Sequence, residues 1–464
     1  MSGNVDLAII GAGPAGMAAA ITARRHGLTV AVIDEQPAPG GQIFRAVTEP
    51  APLPTAVLGS DYHAGRTLAE RFLACGADYR PGSLVWQEEK GTLDLTGPDG
   101  PRSFKAKRII LAGGAMERPF PVPGWTLPGV MTAGAAQILL KTAASAAPGA
   151  VFAGSGPLIY LIVAQYARAG VPVAALLDTT PRGARLKALR HLPGALMAPS
   201  YLRKGLGLLA EIKRAGIKVV SHVEALRIEG DSAVSSISWR AGGQHGEIAT
   251  GTVFLHQGVI PNVNLAMALG CRHVFDESQR CWQPERDRWG RSSRDDILIA
   301  GDAGGILGAS CAELTGEIAA LATCADLGHL SADEAERTAA PTFARLHREG
   351  AIRPFLETLY RPAPQFLAPG DDDTLVCRCE EVTRGAIAAA VAEQCQGPNQ
   401  LKAFTRAGMG PCQGRMCGHS LGETMAALTG RPPAEIGYLR IRMPVKPATF
   451  GDMAGPIDEG RNAA

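Results

Sequence analysis

The sequence predicts an α/β protein of two Rossmann-like dinucleotide-binding domains followed by a small, mostly helical C-terminal module. Two glycine-rich turns predict the first two parts, each placed between an apolar strand and an apolar helix: Gly11-Ala12-Gly13-Pro14-Ala15-Gly16 and Gly154-Ser155-Gly156. Four cysteines in two tight motifs, Cys377-x-Cys379 and Cys412-x4-Cys417, predict the third.

The bulk numbers agree with this division. A chain of 464 residues suits roughly three domains. Hydrophobic residues make up 46% and charged ones 19%, which is ordinary globular composition. The 56 glycines are an excess that phosphate-cradling turns explain. A net charge of +2 gives no basic field, and 5% aromatics gives no stacking platform, so nucleic acid is not an expected partner. No leader peptide is read at the N-terminus and no membrane span anywhere; Leu158 to Ala167 is too short and polar-flanked. The expectation is a cytoplasmic protein, with peripheral attachment to the inner membrane left open. Reduced thiols there favour metal or cluster binding over disulfides.

In chain order, Val5–Ile10 reads as a buried parallel strand. The first glycine turn and an alanine-rich helix to about His26 follow, then a strand from Thr29 to Ile33 that ends in Asp34-Glu35. Residues 40–130 hold the Gly40-Gly41-Gln42 turn, a helix near 65–75, a β-meander from 79 to 106 and the strand Arg108 to Ala112. The second unit runs from Gly149 through a helix to Gly170 and a strand ending in Asp178. The strand Asp296 to Ala300 then meets Gly301-Asp302-Ala303-Gly304 and a helix to about Leu327.

Each glycine of the first turn has a physical task. Gly11 makes the tight turn, Gly13 lets the backbone approach a pyrophosphate, and Gly16 lets the helix pack closely on its strand. Pro14 and Ala15 open the helix, whose free N–H groups attract phosphate. Asp34 stands where a carboxylate can accept from ribose hydroxyls. Glu35 is the lesser candidate, because strand neighbours point to opposite faces. Gly301 and Asp302 select flavin over NAD: an acid there can hold a ribityl chain, and the N–H groups of Ala303 and Gly304 can face a flavin pyrimidine edge. The plain alternative is a capping aspartate. Gly41, Gln42 and Gly113 complete the expected FAD-contacting set.

The second turn has Ile159 where a third glycine would stand, and a branched side chain there pushes the helix away from its strand. The expectation is a retained fold without its ligand. An NAD(P) or adenine nucleotide is the alternative occupant, with Asp178 favouring NAD and Arg182 and Arg185 blurring that preference. Domains are expected at 1–125 with 275–330 (FAD-binding), 126–274 (NAD(P)-binding-like), 331–370 (helical, then Pro-rich linker), 371–430 (cysteine module) and 431–464 (irregular tail).

Cys377, Cys379, Cys412 and Cys417 can converge on one centre, either zinc or an iron–sulfur cluster. A C-x-C pair is unusual for a zinc ribbon. Lys402, Arg406 and Arg415, with Gly408, Gly410 and Gly414, surround the second pair with positive charge and free N–H groups. The other cysteines (Cys75, Cys271, Cys281, Cys311, Cys324, Cys395) read as buried small hydrophobes. His63, His191, His256 and His347 have no metal spacing. No nucleophile–base constellation is legible, so no catalytic residue is assigned.

The order of these motifs resembles the FAD-containing subunits of multi-subunit bacterial amino-acid and opine dehydrogenases. That group includes subunits of opine oxidase, of dye-linked proline or hydroxyproline dehydrogenase, and of the hydrogen-cyanide-forming glycine dehydrogenase. The resemblance rests on Gly11 to Gly16, Asp34 to Gln42, Glu117 to Trp125, Gly154 to Leu158, Gly301 to Ala303 and Thr405 to Cys417. The last stretch is similar to the bacterioferritin-associated-ferredoxin module, which implies a 2Fe–2S cluster on the four cysteines. The core resembles the disulfide-reductase fold without its redox disulfide. The resemblance implies an electron-transferring FAD and 2Fe–2S subunit. It further implies a catalytic flavoprotein β subunit of amino-acid-oxidase type, a small ferredoxin-like subunit in some assemblies, and an external electron acceptor. A stand-alone NAD(P)H-dependent reductase and a zinc-stapled scaffold subunit remain as alternatives.

Overall fold

The computed structural model describes residues 4–50 and 53–454. Its first half is built on a sheet ordered Asp78–Arg80, Val30–Ile33, Val5–Ile10, Arg102–Leu111, Thr92–Thr96, Leu84–Glu89, with Ile297–Ile299 paired to the end of Arg102–Leu111. Val5–Ile10 lies parallel between its two neighbours, Leu7 facing Val30 on one side and Arg108 on the other. A strand covered on both faces reads as a continuous apolar run, as Leu7 to Ile10 does. The expected meander is present, and its last strand is one piece with the expected strand at 108–112: Arg102–Leu111 pairs antiparallel at its start and parallel at its end.

The helix Pro14–Arg25 packs against the helix Ala309–Asp326 at very short range. A methyl on Gly316 would fall 2.1 Å from the Ala15 carbonyl oxygen, and one on Gly301 would fall 2.8 Å from the Ala15 Cβ. This closeness is why small residues crowd the first helix, five of whose twelve residues are alanine. Gly301–Gly304 is a 3-10 turn, and the following helix begins only at Ala309.

The second sheet is parallel, ordered Val219–Ser221, Val173–Asp178, Ala150–Ser155, Val253–Gln257, Val130–Thr132. One apolar core continues from Leu7 and Met17 beneath the first sheet to Phe152 and Tyr166 beneath the second. The fold class expected from sequence is the one observed.

Two segments hold more than was expected of them. Residues 331–370 begin, as expected, with a helix, Ala332–Gly350, opened by a Ser331–Glu334 capping box, but the Pro-rich part is no plain linker: Phe366 reaches the core beneath the second sheet, edge-on to Phe120. The tail is not simply irregular either. Ile436, Leu439, Ile441 and Val445 are buried in the core of the cysteine module, alongside Ile387, Leu401, Leu421 and Met425. Leu439, Ile441 and Val445 alternate with polar residues, but Pro432, Pro433, Pro444 and Pro447 give the stretch the look of an irregular tail. Residues 455–464 of that tail lie outside the described residues. Among the described residues no helix is long and apolar enough to cross a membrane.

Candidate flavin and iron–sulfur sites

The first glycine turn is built around two close approaches. Gly11 has φ +110°, and a Cβ there would lie 2.5 Å from the Ala112 carbonyl oxygen. A Cβ on Gly16 would lie 1.8 Å from the Gly11 carbonyl oxygen. Gly13 differs from both. Its backbone is extended, and a Cβ would meet only the Gly41 Cα, at 3.8 Å. The fold therefore demands glycine at 11 and 16 but not at 13, whose small size serves whatever lies outside the turn. Pro14 occupies the first helical position, and Ala15 sits in the helix contact described above.

Asp34 is buried at the end of the second strand. Its carboxylate accepts from the Ala12 N–H, and from the Gln36 N–H at 2.6 Å. Burial pushes its pKa up, and those two N–H groups pull it back. The acid is thus locked onto the first glycine turn, with lone pairs left for hydroxyl donors. Glu35 faces away and pairs with Lys446.

Gly41 crosses the first turn closely, and the Gly40 N–H donates to the Ala12 carbonyl at 2.9 Å. The carbonyls of Gln42 and Ile43 accept from the buried Lys141 ammonium at 3.3 and 2.8 Å. Burial, with Arg45 nearby, lowers the Lys141 pKa to about 7. Gly113 and Gly114 have no atom near a would-be Cβ, so this turn edges open space. Asp302 accepts from the N–H groups of Leu307 and Gly308 through Oδ1, at 2.8 and 3.0 Å. It organises its own loop, as the capping alternative anticipated, and leaves Oδ2 without a partner of this kind. A half-open phosphate turn, a positioned ribose acid and an open glycine edge suit an FAD, which supplies hydride acceptance and single-electron release when bound.

The four cysteines come together across their motifs as well as within the second one. The Cys377 thiol meets that of Cys417, Cys417 also meets Cys412, and Cys412 meets Cys379. Cys377 and Cys417 are buried, Cys412 is half-buried and Cys379 is exposed. By burial the sulfurs fall into an inner pair, Cys377 and Cys417, and an outer pair, Cys412 and Cys379. Two pairs suit two irons holding two thiolates each. Backbone N–H groups converge on the sulfurs: Gly408 donates to Cys377 at 3.4 Å, Glu380 also reaches Cys377, and Gly414 and Met416 reach Cys412. The hydrogen bond from Cys417 lowers Cys377 to about 6 and Cys412 to about 5, and Cys417 itself is pushed up. Four such thiols cannot all ionise together without bound cations.

The surrounding glycines also set the packing. A Cβ on Gly410 would lie 2.3 Å from the Cys379 Cβ, and those on Gly408 and Gly414 would strike Leu439. Of the expected cations, Arg406 pairs with Glu380, Lys402 turns to the Arg440 carbonyl, and Arg415 donates to the Cys412 carbonyl at 3.0 Å. Cys271, Cys281, Cys311, Cys324 and Cys395 are buried as expected; Cys75 is half-buried at the edge of the main core.

Residues 5–316 match the model of the pyridine nucleotide-disulphide oxidoreductases. The chain belongs to that family. Residues 375–427 match the BFD-like [2Fe-2S] binding domain. An opine oxidase subunit of Agrobacterium tumefaciens is 43% identical, over 98% of this chain and 92% of its own length. The hydrogen cyanide synthase subunit HcnB of Pseudomonas aeruginosa is 32% identical, over 96% of this chain and 98% of its own. The crystal structure of L-proline dehydrogenase from P. horikoshii superimposes with a TM-score of 0.71 at 20% identity, over 97% of this chain and 79% of that one, a likeness of fold. The chain is an oxidoreductase carrying FAD and 2Fe–2S modules.

Within this family's second dinucleotide unit, the turn is closed here. Gly154, Ser155 and Gly156 are all buried, and a Cβ on Gly154 would fall 1.7 Å from the His256 carbonyl oxygen. Asp178 is 3% exposed and is bonded by the Tyr160 hydroxyl. Tyr360, at the end of the helix Arg353–Leu359, lies 6.0 Å from Tyr160, ring centre to ring centre. Two phenols thus crowd the buried acid. Ile159, expected to spoil the site, is a fully buried core residue, and Tyr160 and Tyr360 do the closing. The sequence reading missed both, since Tyr360 arrives from a segment taken for linker.

A second group also escaped it. Arg118, almost fully buried, donates to the carbonyls of Gln257, Gln279 and Arg280, and meets His419 Nε2 at 2.5 Å. Burial and the two arginines hold His419 neutral, which leaves Nε2 free to accept. Arg280 grips Glu423 with two hydrogen bonds, at 3.1 and 2.9 Å. His419 and Glu423 lie one turn apart on the helix that starts directly after Cys417. That spacing next to Cys417, an expected ligand, was the available signal. His256, seen as scattered, is hydrogen-bonded through Nδ1 to the Glu117 carboxylate at 2.6 Å.

Proposed function

We propose that this chain is the electron-transferring FAD and 2Fe–2S subunit of a hetero-oligomeric dehydrogenase that oxidises an amino or imino acid. The observation that carries the proposal is the Arg118–His419 contact. Arg118 follows the open Gly113–Glu117 turn and strand of the flavin cleft, and His419 follows the cluster ligand Cys417. The contact spans 301 residues of sequence and ties the two cofactor modules together. Gly11, Gly13, Gly16, Asp34, Gly41, Gln42, Gly113, Gly301 and Asp302 hold the flavin, and Cys377, Cys379, Cys412 and Cys417 hold the cluster. A two-electron donor must be matched to one-electron acceptors, and this is the chemical reason for keeping a flavin beside an iron–sulfur centre.

The relatives named as subunits of opine oxidase and of hydrogen cyanide synthase support a partner that performs the amine oxidation. A flavoprotein of amino-acid-oxidase type is the partner this reading requires, with a small ferredoxin-like subunit in some assemblies. Self-sufficient reduction by NAD(P)H loses its ground, because the second dinucleotide turn is buried. The test is co-expression with a flavoprotein subunit of amino-acid-oxidase type from the same organism. An amino or imino acid should bleach the flavin of this chain only when the partner is present. Bleaching by NADH or NADPH in the isolated chain would overturn the proposal.

A further inference from the structure

Residues 182–214 are turned inside out compared with an ordinary surface segment. Ala184, Ala188, Ala195 and Ala198 face inward and are nearly inaccessible. Leu208 and Ile212 anchor the segment to the core, but six other large apolar side chains point to solvent: Leu186 is 74% exposed, Leu206 69%, Leu196 59%, Leu189 52%, Met197 45% and Leu209 42%. On the helix Pro199–Arg214, Leu206, Leu209 and Lys213 recur at steps of three and four and share the outer face. Exposed apolar side chains gathered in this way mark an interaction surface.

The charge of the segment decides what it meets. It carries eight lysines and arginines, among them Arg185, Lys187, Arg190, Arg203 and Lys213, within a chain whose net charge is only +2. Its single acid, Glu211, is engaged by Arg168 at 2.8 Å. A second copy of this chain would set like charges against one another. A protein partner would call for aromatic anchors, whereas this face offers leucines among five arginines and three lysines, and its one aromatic, Tyr201, is half-buried. Leucines surrounded by cations, on short helices, are what an anionic lipid surface binds.

We infer that the 182–214 face docks on an anionic phospholipid bilayer, with Leu186, Leu206 and Leu209 entering the headgroup layer. The helices lie in the interface and do not cross it. The site is separate from both cofactor modules and does not depend on which amine is oxidised.

Co-sedimentation of the purified full chain with vesicles tests this, using phosphatidylcholine alone and phosphatidylcholine mixed with phosphatidylglycerol. Binding is expected only with phosphatidylglycerol, and it should fall steeply at about 0.5 M salt. Leu206→Ser with Leu209→Ser should weaken it by about ten-fold or more, while Leu73→Ser, an exposed leucine elsewhere, leaves it unchanged. Arg203→Glu with Lys213→Glu should weaken it by a similar factor. These side chains are exposed, so flavin content and melting temperature serve as folding controls and should not move. Equal sedimentation with both vesicle types, or binding that survives both double variants, would overturn the inference. So would burial of the same leucines against a protein subunit in the assembled complex.

Discussion

Gly13→Ala separates the flavin site from the fold that carries it. The Gly13 backbone is extended (φ −74°, ψ −177°), a conformation alanine adopts freely, and its Cβ would touch only the Gly41 Cα at an ordinary 3.8 Å. The apoprotein should melt within about 1 kcal/mol of the parent, the helix start losing a little as a cap and the unfolded chain losing some freedom. The methyl stands instead where a pyrophosphate must meet the backbone. Losing one charge-assisted hydrogen bond of about 1.5–3 kcal/mol weakens FAD by roughly ten- to a hundred-fold. Gly16→Ala is the contrast. Its Cβ falls 1.8 Å from the Gly11 carbonyl oxygen, so the helix must shift, at about 1–3 kcal/mol or more of fold stability. The assay is flavin content by absorbance, FAD titration by fluorescence quenching, and apoprotein melting for both variants. If Gly13→Ala retains full FAD affinity, or if it unfolds as Gly16→Ala does, the assignment of this turn to a phosphate is wrong.

Other consequences can be read in the same way. Cys412→Ser, at a half-buried outer position, should remove iron and sulfide while flavin content stays constant; loss of both would make the module an integral part of the fold. Arg118→Met leaves three carbonyls and His419 without their donor, so thermal or denaturant melts should show a loss of about 3–5 kcal/mol, and a neutral outcome would sink the bridging role. Lys141, lowered to about 7 from 10.5, gives up its proton in the folded state between those pH values while the unfolded chain still holds it. Stability of the parent relative to Lys141→Met should therefore rise between pH 7 and about 10, by a few kcal/mol at most, and parallel pH profiles would refute the burial of a charged lysine there.

The parts of this molecule that were legible in the sequence are those whose chemistry fixes spacing along the chain. Gly11 to Gly16 must span one turn, Asp34 must end the next strand, and each cysteine pair must be near-adjacent to reach a common centre. What the sequence concealed depends on contacts between distant segments. The thiols pair across motifs, Cys377 with Cys417 and Cys412 with Cys379, which no local spacing reveals. Tyr360 reaches Asp178 from a segment that its prolines made look slack. Leu439, Ile441, Met443 and Val445 enter the cluster module at every second position, an alternation masked by the prolines around it. The Arg118–His419–Glu423–Arg280 group joins three separate stretches of chain and shows only as charged residues in an otherwise polar-looking pattern.

The central claim is that one polypeptide carries electrons between a flavin and a paired-iron centre. Anaerobic reductive titration of the purified holoprotein tests it most directly, followed at once by visible absorbance and low-temperature electron paramagnetic resonance. Flavin bleaching accompanied by a new signal from a reduced 2Fe–2S centre, absent in Cys412→Ser, is the predicted result. Flavin that bleaches with no iron signal at any stage, or protein whose only metal is zinc, would contradict the account.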